Sequence, residues 1–297
     1  MEGFNAARQE VVGIASLAQD ARASDVIGGD RSFRNRNGYK SVLNAMVHGI
    51  DDLQSKLRLN AIVERIEWRP GSATVRVKSA RTGHAESLRC RRVVITVPLG
   101  VLQAEPDEPG ALRFDPEPAE TLAAARKLRF GQVMRVVLRF REAFWESNDR
   151  LADIGFLLSQ EEFFPTWWTA LPIRAPIMTG WSAGPHADRL LGKPESAIIN
   201  HALKDLANIL DESPTRLSKL LEAAYFHDWH ADPFSRGAYS YVPAGALPAR
   251  ALLAEPVADT LYFAGEATEL NGHSATVHGA IASGKRVARQ ILEQFGS

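Results

Sequence analysis

The chain has 297 residues, of which 35 are basic, 35 are acidic and one is cysteine, and 45% are hydrophobic. These proportions are typical of a globular protein with one large domain or two smaller ones. The balanced charge gives no electrostatic reason to expect nucleic acid or an anionic membrane as a partner. The single cysteine, Cys90, excludes an internal disulfide and any cysteine-based metal site, and we therefore expect the reducing cytoplasm.

Neither a secretory signal nor a membrane span is expected. The first residues lack the basic start and apolar core of a signal peptide. The longest strongly apolar stretch, residues 93–102, is about half of the ~20 residues that a bilayer helix needs, and it contains Pro98.

The first half of the chain predicts helices followed by a β-rich stretch. A helix is predicted over the first twenty-odd residues, ending before Gly28, and a second over residues 39–48. Three strands joined by turns follow at residues 59–68, 74–79 and 85–90. The β-branched run at residues 92–97 is typical of a strand buried on both faces of a parallel sheet.

The second half alternates between helices and strands. Strong alternation at residues 130–140 indicates a strand with one better-buried face, carrying Met134, Val136, Leu138 and Phe140. Other strands are predicted at residues 154–158, 166–170, 177–181, 223–229 and 260–264. Helices are predicted at residues 119–128, 195–210, 216–221 and 275–294. The predicted fold class is therefore mixed α/β.

Residues 261–284 combine a buried strand, Gly265, a loop and the start of the last helix. This arrangement presents unpaired backbone N–H groups at one point, where the helix dipole adds a partial positive charge. An anion or an electron-rich ring oxygen would bind there. The pattern is equally typical of a strand–helix packing unit in which Gly279 and Gly284 only permit close approach, and spacing alone leaves both interpretations open.

The same stretch resembles the C-terminal flavin-contacting motif of the FAD-dependent amine oxidases. This family contains monoamine oxidases, polyamine oxidases and flavin-dependent histone lysine demethylases. Other segments resemble the family in the family's own order, namely residues 36–39, 59–63, 94–102, 229–233 and 236–241. Several ordered motifs are more specific than one, so the chain is identified as a member of this family, on the polyamine oxidase and demethylase-like branch.

The resemblance implies an FAD-binding domain that is entwined with a substrate domain of mixed sheet and helices. The substrate-binding domain is expected at residues 1–31 and 131–247, and the remaining parts of the FAD-binding domain at residues 32–130 and 248–297. Family members open with a strand, a Gly-x-Gly-x-x-Gly turn and a helix that hold the pyrophosphate, and this sequence contains no such motif. We therefore expect the C-terminal portion of an amine oxidase, with an uncovered sheet edge that favours self-association or a partner chain.

The resemblance also implies which residues contact the cofactor. The helix start at Thr276 and Val277 matches the amides that face the flavin pyrimidine ring, where a fixed dipole stabilises the reduced state. The full set of matching cofactor positions is Val63, Pro98, Trp229, Gly265, Glu266, Ala275, Thr276 and Val277. Because Ala238 replaces the cysteine that joins flavin covalently in monoamine oxidases, noncovalent FAD is implied. Without the missing motif, FAD is expected to be held weakly or not at all.

Arg135, Trp229, Tyr239 and Thr276 match the family's catalytic positions. Trp229 and Tyr239 match aromatic positions that guide an amine toward flavin N5, although core filling is the alternative for both. Arg135 replaces the usual lysine near N5, and arginine can anchor a water but cannot become a neutral base. Slow or absent reaction with oxygen is therefore expected, unless Arg135 simply points to solvent.

The implied function is flavin-dependent oxidation of the C–N bond of an amine by hydride transfer to FAD N5. A polyamine-like or other small amine is expected, since no histone-reading module is present. The alternatives are a non-catalytic remnant and one half of a split enzyme that needs a partner chain for FAD. The pairs His227 with His230 and His273 with His278 lack a third ligand at suggestive spacing, so no metal site is expected.

Overall fold

The computed structural model describes residues 2–29, 31 and 33–294. The chain divides into two compact units. The first contains the described residues of Met1–Val12, Phe130–Asp232 and Arg236–Tyr241, and the second contains those of Gly13–Arg129, Pro233–Ser235 and Val242–Ser297. Residues 13–31 thus group with the second unit, whereas the sequence assigned them to the substrate-binding domain; the functional roles of the two units stay a prediction.

The helices and strands are numbered along the chain. The helices are α1 (Glu2–Asn5), α2 (Ile14–Ile27), α3 (Tyr39–Val47), α4 (Leu53–Lys56), α5 (Leu99–Leu102), α6 (Ala119–Lys127), α7 (Pro185–Asp188), α8 (Glu195–Leu210), α9 (Pro214–Leu220), α10 (Leu247–Ala254) and α11 (Val277–Glu293). The strands are β1 (Ala61–Arg69), β2 (Ser72–Ser79), β3 (Ala85–Cys90), β4 (Val93–Ile95), β5 (Arg113–Asp115), β6 (Arg129–Gly131), β7 (Val133–Phe140), β8 (Phe156–Leu158), β9 (Thr166–Thr169), β10 (Ile177–Ala183), β11 (Leu221–Tyr225), β12 (Tyr239–Tyr241) and β13 (Leu261–Phe263).

The first unit is built on an antiparallel sheet with the strand order β11-β7-β10-β9-β8. Strand β7 alternates as predicted, and Met134, Val136, Leu138 and Phe140 are almost fully buried. The single strand predicted over residues 130–140 is however divided at Gln132 into β6, which pairs with β12, and β7. They pack in one cluster with apolar side chains of α8 and α9. Each such side chain contributes about 1.5–3 kcal/mol when fully buried, so this cluster holds the helices on one face of the sheet.

Gly180, in the middle of β10, is required by that packing. A Cβ atom at this position would lie 2.7 Å from the buried ring of Trp167 and 2.9 Å from Val136. Because the register pairs Gly180 with both residues, the missing side chain makes room for the indole. The helix-covered face of the sheet is therefore closely packed. The opposite face carries the exposed Arg135 and the half-buried Trp181, together with the buried side chains of Val133, Thr179 and Ala183.

The second unit contains a sheet with the strand order β3-β2-β1-β5 and a separate parallel pair, β13-β4. The predicted hairpins join β1, β2 and β3, which pair in antiparallel register. Strand β4 runs parallel to β13 as predicted, but the expected burial on both faces is wrong, because Val94 is 44% exposed. The observed mixture of helix and sheet agrees with the predicted fold class.

The main differences from the predicted elements have local causes. The single N-terminal helix is wrong: α1 and α2 are separated by residues 6–13, since Ala6 adopts a left-handed φ of 48° that interrupts a helix. Gly28, also left-handed, ends α2 as predicted. Helix α10 was not predicted. Over the described ranges, none of the helices combines the length and apolar character needed to cross a membrane.

Candidate cofactor site

The chain bends sharply where strand β13 ends. Leu261, Tyr262 and Phe263 are fully buried. Gly265 then adopts φ 127° and ψ 168°, a backbone conformation that residues other than glycine rarely adopt. Its N–H donates to the Ser283 hydroxyl at 2.8 Å, and no heavy atom lies within 4 Å of the place where a Cβ would stand. Gly265 therefore presents bare backbone to open space.

Helix α11 begins with its own side-chain cap. The Thr276 hydroxyl accepts from the Gly279 N–H at 3.0 Å and donates to the His273 carbonyl at 2.6 Å. The backbone amides of Thr276, Val277 and His278 donate no hydrogen bond to any part of the chain that the structure describes. We call these three N–H groups the open amides. They lie at the positive end of a 17-residue helix, where an electron-rich partner is stabilised.

Two carboxylates fix the loop between the bend and the helix. Glu266 accepts from the Ala275 N–H at 2.8 Å, and Ala275 adopts a left-handed φ of 59°. Glu269 accepts from the N–H groups of Asn271 at 2.9 Å and His273 at 2.7 Å. The loop is thus held by charge-assisted hydrogen bonds, which orient the open amides before any ligand arrives.

A buried arginine that sequence reasoning missed lies among these carboxylates. Arg250, on α10, is 2% exposed, and the charges of Asp20, Glu266 and Glu269 act on it. Burial lowers the pKa of Arg250 and raises the pKa of Asp20, because each charged form loses hydration. The only sequence signal was an arginine inside the apolar segment Leu247–Ala254, and it does not reveal the distant partners.

Two histidine rings lie together at the start of α11. The rings of His273 and His278 lie edge to face, with centroids 4.9 Å apart. The pKa of His278 is lowered, first by burial and then by the neighbouring His273. Across the described ranges, no group of three or more histidine, cysteine, aspartate or glutamate side chains is arranged to hold a metal ion.

The remaining predicted cofactor residues of the second unit lie on other elements. Val63 is half-buried on β1, beside a register shift in its pairing with β2. Pro98 is exposed before α5, where its carbonyl accepts from the Val101 N–H at 3.0 Å. The structure therefore groups Gly265, Glu266, Ala275, Thr276 and Val277 in one loop and helix start, and places Val63 and Pro98 elsewhere in the unit.

The other predicted catalytic residues belong to the first unit. Arg135 is exposed on β7, directly opposite Trp181 of β10. The Tyr239 hydroxyl donates to the Phe4 carbonyl at 2.7 Å, and its ring packs against a small buried cluster that contains Val133. The packing of Tyr239 is thus also consistent with the core-filling alternative, and its role stays a prediction.

Trp229 is 44% exposed, and its ring meets His227 edge to face with a centroid distance of 4.3 Å. His227 in turn contacts the Asp232 carboxylate at 3.1 Å. The Trp229 carbonyl accepts from the Gly237 N–H at 2.9 Å, which ties its loop to the segment before β12. This indole is therefore held at the surface of its unit rather than packed in the core.

Comparison with known proteins decides the family. The sequence profile of the flavin-containing amine oxidoreductases matches residues 6–292. The chain belongs to this family. Histone demethylase-like protein A of Aspergillus fumigatus is 32% identical over 86% of this chain, which spans 24% of that relative. Polyamine oxidase 4 of Oryza sativa subsp. japonica is 30% identical over 88% of this chain, which spans 50% of that relative.

Solved structures show the same amine oxidoreductase fold. Wild-type putrescine oxidase bound to putrescine has a TM-score of 0.68 and 22% identity, over 86% of this chain and 53% of that one. The chain thus spans about half of this amine oxidase and a quarter of the Aspergillus relative. The predictions of the family and of its flavin cofactor are confirmed.

The residues of the second unit fit the flavin end of FAD. The open amides can donate hydrogen bonds to an electron-rich ring edge, and the open space beside Gly265 can hold part of the cofactor where a Cβ would otherwise stand. A Gly-x-Gly-x-x-Gly motif for the pyrophosphate does not occur in this sequence. The fit therefore concerns the ring-facing part of the cofactor site.

Proposed function

We propose that this chain forms the flavin-facing and substrate-facing portion of an amine oxidoreductase that acts on the C–N bond of a small amine, polyamine-like or other. The observation that carries the proposal is the set of open amides at the start of α11, next to the bare backbone of Gly265. FAD bound noncovalently would supply the chemistry, which is hydride acceptance at N5 followed by release of an imine that water hydrolyses.

In this proposal the second unit binds and orients the ring. Thr276, Val277 and His278 would donate their N–H groups to the flavin ring, while the Thr276 hydroxyl keeps the first turn of the helix closed. Glu266 holds the Ala275 N–H, so that this amide stays in the loop. Gly265, Val63 and Pro98 contribute backbone near the remaining parts of the cofactor.

The first unit would guide the amine. Trp229 and Tyr239 offer aromatic rings that orient the substrate, and Arg135 anchors a water by donating hydrogen bonds. A guanidinium keeps its proton at physiological pH, so Arg135 does not accept one from a protonated amine. The reaction should therefore prefer the neutral amine, and reoxidation by oxygen should be slow. The cytoplasm is the proposed compartment.

Exposed apolar side chains favour a second candidate, in which the chain works with a partner. Between α2 and β1, Val26, Phe33, Tyr39, Leu43 and Leu59 are all more than half exposed. Large apolar side chains that stay exposed in one region of the chain are a common feature of protein interfaces. The candidate is one half of a split oxidase, or a non-catalytic remnant, in which these side chains or the β13-β4 sheet edge contact another chain or a second copy.

The visible absorption spectrum of the purified chain tests both candidates. Added FAD should give a shifted, protein-bound flavin spectrum, and anaerobic addition of a small amine should bleach it. If the bound flavin stays oxidised with every amine tested, the oxidoreductase proposal is contradicted and the non-catalytic remnant remains. A spectrum that shifts only when a co-purified Gly-rich chain is present would instead identify the split enzyme.

A further inference from the structure

The sheet face of the first unit that bears Arg135 also bears a row of aromatic rings. Direct cross-strand partners lie on the same face of a sheet. The register pairs Arg135 with Trp181, Thr179 with Trp168, and Trp168 with Phe156. We call Phe156, Trp168 and Trp181 the aromatic row. It runs from β8 across β9 to β10 and ends opposite Arg135.

The rings of the row touch in sequence. The Phe156 and Trp168 ring centroids are 5.9 Å apart, and those of Trp168 and Trp181 are also 5.9 Å apart. The interplanar angles are 37° and 51°, so the rings form a tilted strip rather than a cage around one point. The Trp181 indole N–H donates to the Gly3 carbonyl at 2.7 Å, which fixes that end of the strip.

The strip is open at its Phe156 end and supported from below, whereas Trp181 packs against the buried cluster of Ala6, Val133 and Ala183. Phe156 is 62% exposed, and Trp168 and Trp181 are half-buried. The opposite face, with Trp167 and Val136, is closed by the buried cluster under α8. The row is therefore an apolar surface on a rigid sheet, and its rings are preorganised for a flat or hydrocarbon group.

Charge on this face argues against a polycationic ligand. On this face of the five described strands, none of the strand positions is aspartate or glutamate. The positions are 156 and 158 on β8, 166 and 168 on β9, 177, 179, 181 and 183 on β10, 133, 135, 137 and 139 on β7, and 223 and 225 on β11. The carboxylate of Glu222 on β11 is bonded to Arg139 at 3.2 Å. Arg135 has donors only, so it cannot accept a hydrogen bond from an ammonium group.

We propose that the aromatic row is a specificity surface for the apolar part of the substrate, which makes the substrate a monoamine with an aryl or alkyl group rather than a polyamine. The inference rests on the proposed function for the identity of the ligand as an amine. A distal ammonium of a polyamine would lose water over this face, meet the positive charge of Arg135 and gain no carboxylate from the five strands. An aryl group would gain ring contacts along the strip.

Binding measured without flavin tests this preference. Calorimetric titration of the full chain with 2-phenylethylamine and with spermidine should give tighter binding of 2-phenylethylamine by roughly tenfold, equivalent to about 1.4 kcal/mol. Phe156→Ala should weaken 2-phenylethylamine binding about fivefold at an unchanged unfolding temperature, because this ring is mostly exposed. Leu292→Ala, at an exposed apolar residue of the other unit, is the control and should change neither affinity.

Supplying the missing carboxylate should reverse the preference. Leu158→Glu, at an exposed position on the same face, and Arg135→Glu should each strengthen spermidine binding. Spermidine binding as tight as 2-phenylethylamine in the unmodified chain, or no binding of either amine, would overturn the inference. A failed flavin titration would overturn the proposed function alone, since this ranking is measured without flavin.

Discussion

Position 135 carries a guanidinium where the family resemblance expects a lysine, on the exposed face of β7. Lysine can lose its proton when desolvated and arginine cannot, so the two side chains support different proton chemistry. In the FAD-reconstituted chain, Arg135→Lys should raise the rate of amine oxidation by roughly 100-fold or more, in line with the contribution of one general base.

Arg139→Lys is the control for that substitution. Arg139 lies on the same strand and face, but it forms an ion pair with Glu222 at the edge of the sheet. This variant should leave the rate unchanged in stopped-flow measurements of flavin reduction. Equal rates for Arg135→Lys and the parent chain would show that Arg135 has no part in the reaction.

Asp205 shows how one buried carboxylate supports the first unit. It is 4% exposed, and Oδ2 accepts from the N–H groups of Phe163 at 3.2 Å and Phe164 at 2.7 Å. Asp205→Ala should lower the free energy of unfolding by about 2–4 kcal/mol, since both donors lose their acceptor. Asp205→Asn keeps an acceptor and should cost less. Urea denaturation measures both.

The pH dependence of these variants follows from the same burial. Burial raises the pKa of Asp205 in spite of its two backbone hydrogen bonds. Because the pKa is higher in the folded state, protonated Asp205 contributes to the free energy of unfolding. This contribution is fully present below the unfolded-state pKa of about 3.9 and is lost as the pH rises through the folded-state pKa. Relative to Asp205→Asn, the parent chain should therefore gain stability as the pH falls from neutral toward 4. A difference that is constant with pH would contradict the assigned burial cost.

Among the elements, α11 contains two glycines with opposite roles. A Cβ at Gly279 would collide with the His273 carbonyl, whereas no heavy atom surrounds the corresponding position at Gly284. Gly279→Ala should destabilise the chain by about 1–3 kcal/mol, because the cap and loop must move. Gly284→Ala should stabilise it by roughly 0.5–1 kcal/mol through helix propensity. Thermal unfolding that moved in the same direction for both would contradict the described helix start.

Elements were predictable where their own sequence carried a long period. Helix α8 matches its predicted bounds because sixteen residues repeat an apolar stripe, and β7 alternates over its full length. Helix α10 was missed because its eight residues are mostly apolar, and because the place of Arg250 among Asp20, Glu266 and Glu269 is set by residues distant in sequence. The break after α1 depends on a left-handed Ala6 that no local pattern signals.

For the whole molecule, the motif at residues 261–284 predicted the grouping of Gly265 with Thr276, because strand, loop and helix are contiguous in sequence. The hydrogen bonds of Ser283 to Gly265 and of Glu266 to Ala275 were not predictable, since no spacing rule specifies them. The aromatic row also escaped sequence reading, because its rings come from separate strands whose pairing only the folded sheet reveals.

The exposed apolar side chains between Val26 and Leu59 carry a prediction about assembly. Burying such a patch is favourable by about 25 cal/mol per Å², so association should compete with the monomer. Sedimentation velocity should show species heavier than one chain, and Phe33→Asp combined with Leu59→Asp should shift them to the monomer. A monomer that persists at high concentration in the unmodified chain would contradict this expectation.

The most direct test of the proposed flavin site is an equilibrium titration of FAD followed by flavin fluorescence, with the parent chain, Gly265→Ala and the control Gly245→Ala. Both glycines have positive φ and open surroundings, but only Gly265 adjoins the loop that leads to α11. We expect saturable quenching in the parent and in Gly245→Ala, with affinity roughly tenfold lower in Gly265→Ala because a Cβ would occupy the open space beside the bend and strain the bend. Identical titrations for all three proteins, or no saturable quenching in the parent, would contradict the proposed flavin site.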